Sequence, residues 1–286
     1  MYTPGSLSDF RLPYRDRSAH KGQFGKVFIL AGSQGYTGAP VFAANAAVRT
    51  GAGLVFLGVP ADIYPIAAVK CDEAMPFPLP KNYDMILKKA QSCDVALIGP
   101  GLGVSKDVGT LVRWLLHDLS IPVVLDADGI NALSGHINIL DDRSAPTILT
   151  PHEGEFHRLT NCPLPVPNRL RAACSFAQEH HCVLVLKGQG TITAAPDGTY
   201  FENTTGNPGM AKGGSGDVLA GMIAALLGQK QLSAFSPAFL TAAAVYFHGL
   251  SGDLCARQLG EYGMTPSDML AAIPSVLKAH TQTSPA

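Results

Sequence analysis

The sequence predicts a single α/β domain with a mainly parallel central sheet and helices on both faces. Three observations carry that prediction. Short apolar runs alternate with helical patterns along the chain, as repeated βαβ units do. Each run ends in glycine, proline or a polar group, the punctuation of a buried strand. The 286 residues are 47% hydrophobic and only 15% charged, which supplies a large core and excludes a disordered chain.

The predicted buried strands are KVFILAG (26–32), GLVFLGVP (53–60), DVALIGPG (94–101), PVVLDAD (122–128), PTILTPHEGE (146–155) and CVLVLKGQG (182–190). Between them TGAPVFAANAAVRTGAG, KNYDMILKKAQSC, SKDVGTLVRWLLHDLS and PNRLRAACSFAQEHH read as helices. Across 183–202 the pattern becomes an antiparallel hairpin with a Pro-Asp-Gly turn at Pro196 to Gly198. After Ser215 helices dominate, including the alanine-rich FLTAAAVYFHGLSGDLCARQ. Residues 1–20 read as an N-terminal extension and 21–280 as the domain.

Lysine and arginine number 21 against 22 acids. A basic excess, the footprint of a nucleic-acid or membrane-surface binder, is absent, so local groups must hold any anionic ligand. Six scattered cysteines without a C-x-x-C pair suit free thiols in a reducing compartment better than a zinc site. No apolar leader and no run of about 18 apolar residues occurs, which predicts a soluble cytoplasmic protein.

In open α/β sheets ligands sit at the carboxyl ends of strands, so GPGLG, DADG, TPHEGE and KGQGT should converge on one crevice. GSQGYTGA (32–39) follows a strand and opens a helix but lacks the P-loop lysine. It is either a tight turn or a place where Ala39 lets a bulky substrate approach. GPGLG (99–103) does not complete a dinucleotide fingerprint and suits a backbone platform ending at Gly103. Asp126 and Asp128 either order water or magnesium or cap a helix. His152, Glu153 and Glu155 open a helix, where acids are favoured. Lys187 sits at a strand end beside Gly188 and Gly190, where a phosphate contact is plausible.

The stretch NPGMAKGGSGDVLAG (207–221) holds five glycines and runs into an apolar helix. Ser215 capping and Asp217 compensating the dipole would need no such glycine run. Glycines strip side chains so that phosphate oxygens reach backbone amides. Asp217 then reads as a base aimed at a hydroxyl undergoing phosphorylation, kept ionised by the helix end.

Through GKVFILAGSQGYTGA, GPGLG, LDADGINAL, LTPHEGEF, LKGQGT and NPGMAKGGSGDVLAG the chain resembles the NAD(P)H-hydrate dehydratase family of the ribokinase-like superfamily. GSGD (214–217) looks like the superfamily's G-A-G-D loop, and His152-Glu153-Gly154-Glu155 stands where many of its kinases carry N-x-x-E. The resemblance implies a ribokinase-like fold and dehydration of the (6S) hydrates of NADH and NADPH (NADHX and NADPHX). ADP or ATP would be the phosphoryl donor, with magnesium. It implies that Asp217 is the catalytic base, and that Ala39, Gly103, His152 and Asp217 line the hydrate site. Lys187, Gly188, Gln189, Gly190, Thr191 and Gly216 would hold the nucleotide. Amides of Gly214, Ser215 and Gly216 would form an anion hole, and Glu155 would contact magnesium, through water. The resemblance further implies a homotetramer and a separate epimerase. Two rival readings are a small-molecule kinase of the same fold acting on a hydroxymethyl group and a non-catalytic nucleotide-binding module, against which an intact Asp217 argues.

Overall fold

The computed structural model describes residues 7–283. Nine strands form one sheet: β1 (Lys26–Leu30), β2 (Leu54–Val59), β3 (Met75–Pro78), β4 (Val95–Ile98), β5 (Val123–Leu125), β6 (Thr147–Leu149), β7 (Val183–Leu186), β8 (Ile192–Ala194) and β9 (Tyr200–Glu202). Their order is β3-β2-β1-β4-β5-β6-β7-β8-β9. The first seven run parallel, and β8 and β9 are antiparallel to their neighbours. The predicted hairpin turn joins β8 to β9, with Ala195 N–H donating to the Thr199 carbonyl at 2.8 Å.

The strands are apolar on both faces because each face meets its own helix layer. Val27, Ile29, Val95, Leu97 and Val185 point into one core. That core is shared with α1 (Gly38–Arg49), α8 (Ser215–Gly228), α9 (Pro237–Gly263) and α10 (Pro266–Ala279). Their sequence neighbours Phe28, Leu30, Ala96, Ile98 and Leu186 point into the other. There they pack on α3 (Tyr83–Gln91), α4 (Lys106–Asp118), α6 (Glu153–Thr160) and α7 (Arg169–Glu179). The short α5 (Asp128–Asn131) closes that side through Ile130.

Two elements escape the sequence pattern. α2 (Tyr64–Lys70) and β3 have no long apolar run, and β3 reads MPFP. Proline cannot donate to a ladder, which confines this strand to the edge it occupies. The first six residues of the expected extension lie outside the described residues. The rest packs on the domain: Phe10 is buried with its ring 5.0 Å from Phe239, and Leu12 bridges to Thr281. Among the described residues all six cysteines are free, and no helix is long and apolar enough to cross a membrane.

Candidate active site

The strand order explains why the polar loops meet. β1, β4, β5, β6 and β7 are consecutive neighbours, so the loops leaving their carboxyl ends form one row. The chain reverses its direction of travel between β1 and β4, the switch point where such sheets open a crevice. There the Ser33 hydroxyl donates to the Gly101 carbonyl at 2.8 Å, and Ala39 packs against Gly101. Gly99 must lack a side chain, because a Cβ would lie 1.8 Å from the Asp126 carbonyl oxygen.

Asp126 and Asp128 divide their work, and neither caps α5, whose N-cap position is Ala127 with no side-chain bond. Asp128 accepts from the Gly103 amide at 2.8 Å and from Asn131 Nδ2 at 3.1 Å, pinning the GPGLG platform. Asp126, 2% exposed, accepts from the Thr150 hydroxyl at 2.7 Å and from Lys187 Nζ at 3.0 Å. Lys187 Nζ also lies 3.7 Å from Glu155 Oε2. Burial alone would pull the Lys187 pKa down, but Asp126 and Glu155 outweigh it and raise the value, so the ammonium stays charged.

Glu155 is buried and already engaged. Its Oε2 accepts from the His152 amide at 2.8 Å, while His152 Nδ1 accepts from the amides of Gly154 at 3.0 Å and Glu155 at 3.3 Å. This reciprocal capping box starts α6 with an imidazole in place of the usual hydroxyl. Nδ1 therefore carries no proton, and Nε2 faces Glu155 Oε1 at 3.4 Å.

α8 is apolar nearly all round and buried in the core, so only its N-terminus reaches the crevice. Gly214 enters it at φ 104, a conformation open to glycine. Of the three amides expected to form an anion hole, that of Ser215 is already engaged, donating to the Lys212 carbonyl at 3.2 Å. Among the described residues the amides of Gly214, Gly216 and Asp217 have no protein partner. Ser215 does not cap the helix, and its buried hydroxyl is unpaired. Gly216 lies against Lys187, since a Cβ there would sit 3.4 Å from Nζ.

Asp217 corrects the sequence reading. The helix end was expected to keep it ionised, yet burial, then the neighbouring Asp126, push its carboxyl up to about 7, against the opposing pull of Lys187. A carboxylate among carboxylates in a partly dehydrated crevice resists ionising, and this outweighs the dipole. The outcome suits a general base, whose ideal pKa lies near the operating pH.

The KGQGT loop is held from behind. Arg169 donates to the carbonyls of Leu186 at 3.0 Å, Lys187 at 3.2 Å and Gln189 at 2.6 Å, and its Nε stands 3.1 Å from Glu153. The Thr191 hydroxyl donates to the Gly188 carbonyl at 2.8 Å. Arg169 thus ties the loop after β7 to the start of α6.

Residues 27–275 match the family described as NAD(P)H-hydrate dehydratase. The chain belongs to the NAD(P)H-hydrate dehydratase family. It is 33% identical to the ADP-dependent (S)-NAD(P)H-hydrate dehydratase of Bacillus subtilis, covering 93% of this chain and 94% of that protein. The crystal structure of the ADP/ATP-dependent NAD(P)H-hydrate dehydratase from Bacillus subtilis, co-crystallized with ATP/Mg2+, superposes with a TM-score of 0.81 at 33% identity. It covers 94% of this chain and 95% of that one. A bifunctional NAD(P)H-hydrate repair enzyme of Moorella thermoacetica is 42% identical over 94% of this chain. The chain spans about half the length of that enzyme (52%) and of similar bifunctional relatives.

On this dehydratase frame the structure brings Gly103, His152, Lys187, Gly216 and Asp217 to one row of strand-end loops, with Ala39 packed beside Gly101. Glu155, expected to contact magnesium through water, has both oxygens facing groups of this chain: Oε2 accepts from the His152 amide and Oε1 lies 3.4 Å from His152 Nε2. Among the described residues no cluster of three His, Cys, Asp or Glu could hold a metal. Such a donor set would suit magnesium brought in by a nucleotide, an ion that needs few protein ligands. Sequence reasoning missed Thr150, Arg169 and His248. His248, on α9, is buried, and its Nε2 donates to the Ser215 carbonyl at 3.0 Å. Its signal was a titratable residue inside the apolar, alanine-rich first half of α9; Arg169 offered none.

Proposed function

We propose that this chain converts the (6S) hydrates of NADH and NADPH back to the reduced cofactors, with ADP as the phosphoryl donor. The observation that carries the reading is Asp217, held near neutral pKa at the mouth of a glycine loop beside a buried lysine. Family membership and the name of the Bacillus subtilis relative support the choice of substrate and of ADP.

Hydroxide is a poor leaving group, so the C6 hydroxyl must first be phosphorylated. Asp217 takes the hydroxyl proton as the oxygen attacks the β-phosphorus of ADP and AMP leaves. The ring-nitrogen lone pair then expels phosphate, and loss of the C5 proton restores the dihydronicotinamide. Hydrate plus ADP gives NAD(P)H, AMP and phosphate. Free amides of Gly214 and Gly216 face the moving phosphoryl group, in a crevice where fixed dipoles act strongly. The nucleotide lies along Lys187 to Thr191 and Gly216. The Lys187 ammonium stays with its carboxylates and adds positive charge from behind. Ala39, Gly103 and His152 border the hydrate. Magnesium, when bound with the nucleotide, would supply positive charge to its phosphates. An epimerase supplying the S hydrate is the functional partner, a homotetramer the assembly and the cytoplasm the location, all three on family resemblance.

The test is to add ADP to purified NADPHX and NADHX and follow the absorbance of the reduced nicotinamide. Recovery of absorbance with release of AMP supports the reading. A stable phosphoester in place of NAD(P)H would mean the kinase alternative.

A further inference from the structure

Beside Gly103 and Asp128 lies a cavity of about 230 Å³, whose walls include Ser105, Lys106, Arg113 and His136. It borders the crevice just described, since Asp128 is close enough for its charge to act on Asp217. Whole small-molecule sites run about 300–1,000 Å³, so this space suits one part of a larger ligand.

Its charge selects the part. Among the described residues neither Lys106 nor Arg113 has a carboxylate within ion-pairing reach. Arg113 donates Nη1 to the Ala132 carbonyl at 2.9 Å, which fixes the guanidinium and leaves Nε and Nη2 without a protein partner. Asp128, the acid in the wall, forms no ion pair with either cation; its oxygens accept from the Gly103 amide and from Asn131 Nδ2. The cavity also meets the start of α4, where the Ser105 hydroxyl accepts from the Val108 amide at 3.2 Å and the helix presents its positive end. A fixed guanidinium fork, a mobile ammonium and a helix N-terminus together match a phosphate group.

We propose that this cavity is the subsite for a phosphate of the dinucleotide hydrate, with Arg113 and Lys106 as its cationic partners. The inference rests on the dehydratase reading for the identity of the ligand. Two phosphates of that ligand share the chemistry: the diphosphate common to both cofactors, and the 2′-phosphate that NADPH alone carries.

Binding of NADPH and of NADH, the products, is measured by nicotinamide fluorescence for the parent, Lys106→Gln, Arg113→Gln and the double variant. Thermal melts check the fold. Lys106 is exposed, so its variant keeps the test decisive if Arg113→Gln fails to fold. Each replacement is expected to raise the NADPH Kd about tenfold, the worth of one charge-assisted hydrogen bond. An equal loss for NADH assigns the cavity to the diphosphate, and a loss confined to NADPH assigns it to the 2′-phosphate. Kd values for both cofactors within about twofold of the parent overturn the subsite, as does a parent that binds neither. Turnover of the hydrates by the parent reports separately on the dehydratase reading. A parent that binds both cofactors without turnover sinks that reading and leaves the subsite standing.

Discussion

Asp126 and Lys187 close a 3.0 Å ion pair between the ends of β5 and β7, across the width of β6. The pair is 61 residues apart in the chain and sits directly beneath the glycine loop that carries Asp217. Lys187 is the cation that restrains the Asp217 carboxyl, and Asp126 is the anion that raises it most.

Replacing Lys187 with methionine should therefore act twice. It leaves Asp126 charged and buried, a loss of about 3–5 kcal/mol when one partner of a buried pair is removed. It also lifts the Asp217 pKa further above 7, moving the acid limb of the pH–rate profile to higher pH. Urea melts and kcat/KM between pH 5 and 9 check the two effects.

For the parent, activity should rise through pH 7 as Asp217 loses its proton and becomes a base. A kcat/KM profile already flat from pH 5 upward would mean that no group with that pKa takes the proton.

Asp217→Asn should lower kcat by about 10²–10⁴-fold, the usual worth of a general base, with ADP affinity kept. A loss smaller than about threefold would reduce Asp217 to a helix-end residue. Thermal stability gives an independent check. A carboxyl whose folded pKa is raised from 3.8 to about 7 contributes stability fully below 3.8 and loses it as pH rises to 7. The Asn variant should thus melt above the parent at pH 8, with the gap closing toward pH 4.

Arg169→Gln removes the fork that holds the carbonyls of Lys187 and Gln189 in the KGQGT loop and of Leu186 at the end of β7. The expected result is a KM for ADP raised about tenfold, with the KM for the hydrate changed little. Equal changes in both constants would assign Arg169 to the fold alone.

His248 is buried against the Ser215 carbonyl, and burial pushes its pKa down to about 4. The unfolded chain takes up that proton near pH 6.5, so the stability lost as pH falls from 6.5 through 4 reaches about 3 kcal/mol. His248→Gln keeps a donor toward Ser215 and removes the titration. Its melts should depend less steeply on pH in that window than those of the parent.

The sequence by itself determined the αβ alternation, the helix layers and the hairpin, because period, turn residues and apolar runs are local signals. It also singled out the loops that meet at the strand ends, since glycines and polar groups there are legible one segment at a time. It did not reveal β3, where two prolines mask an edge strand, nor Arg169 and His248, whose partners lie on other elements. The charge state of Asp217 was decided only by the tertiary structure. A helix N-terminus favours an ionised acid, but strand order sets Asp126 and Glu155 nearby and removes water. That desolvated crowd of carboxylates, which no spacing along the chain records, outweighs the dipole.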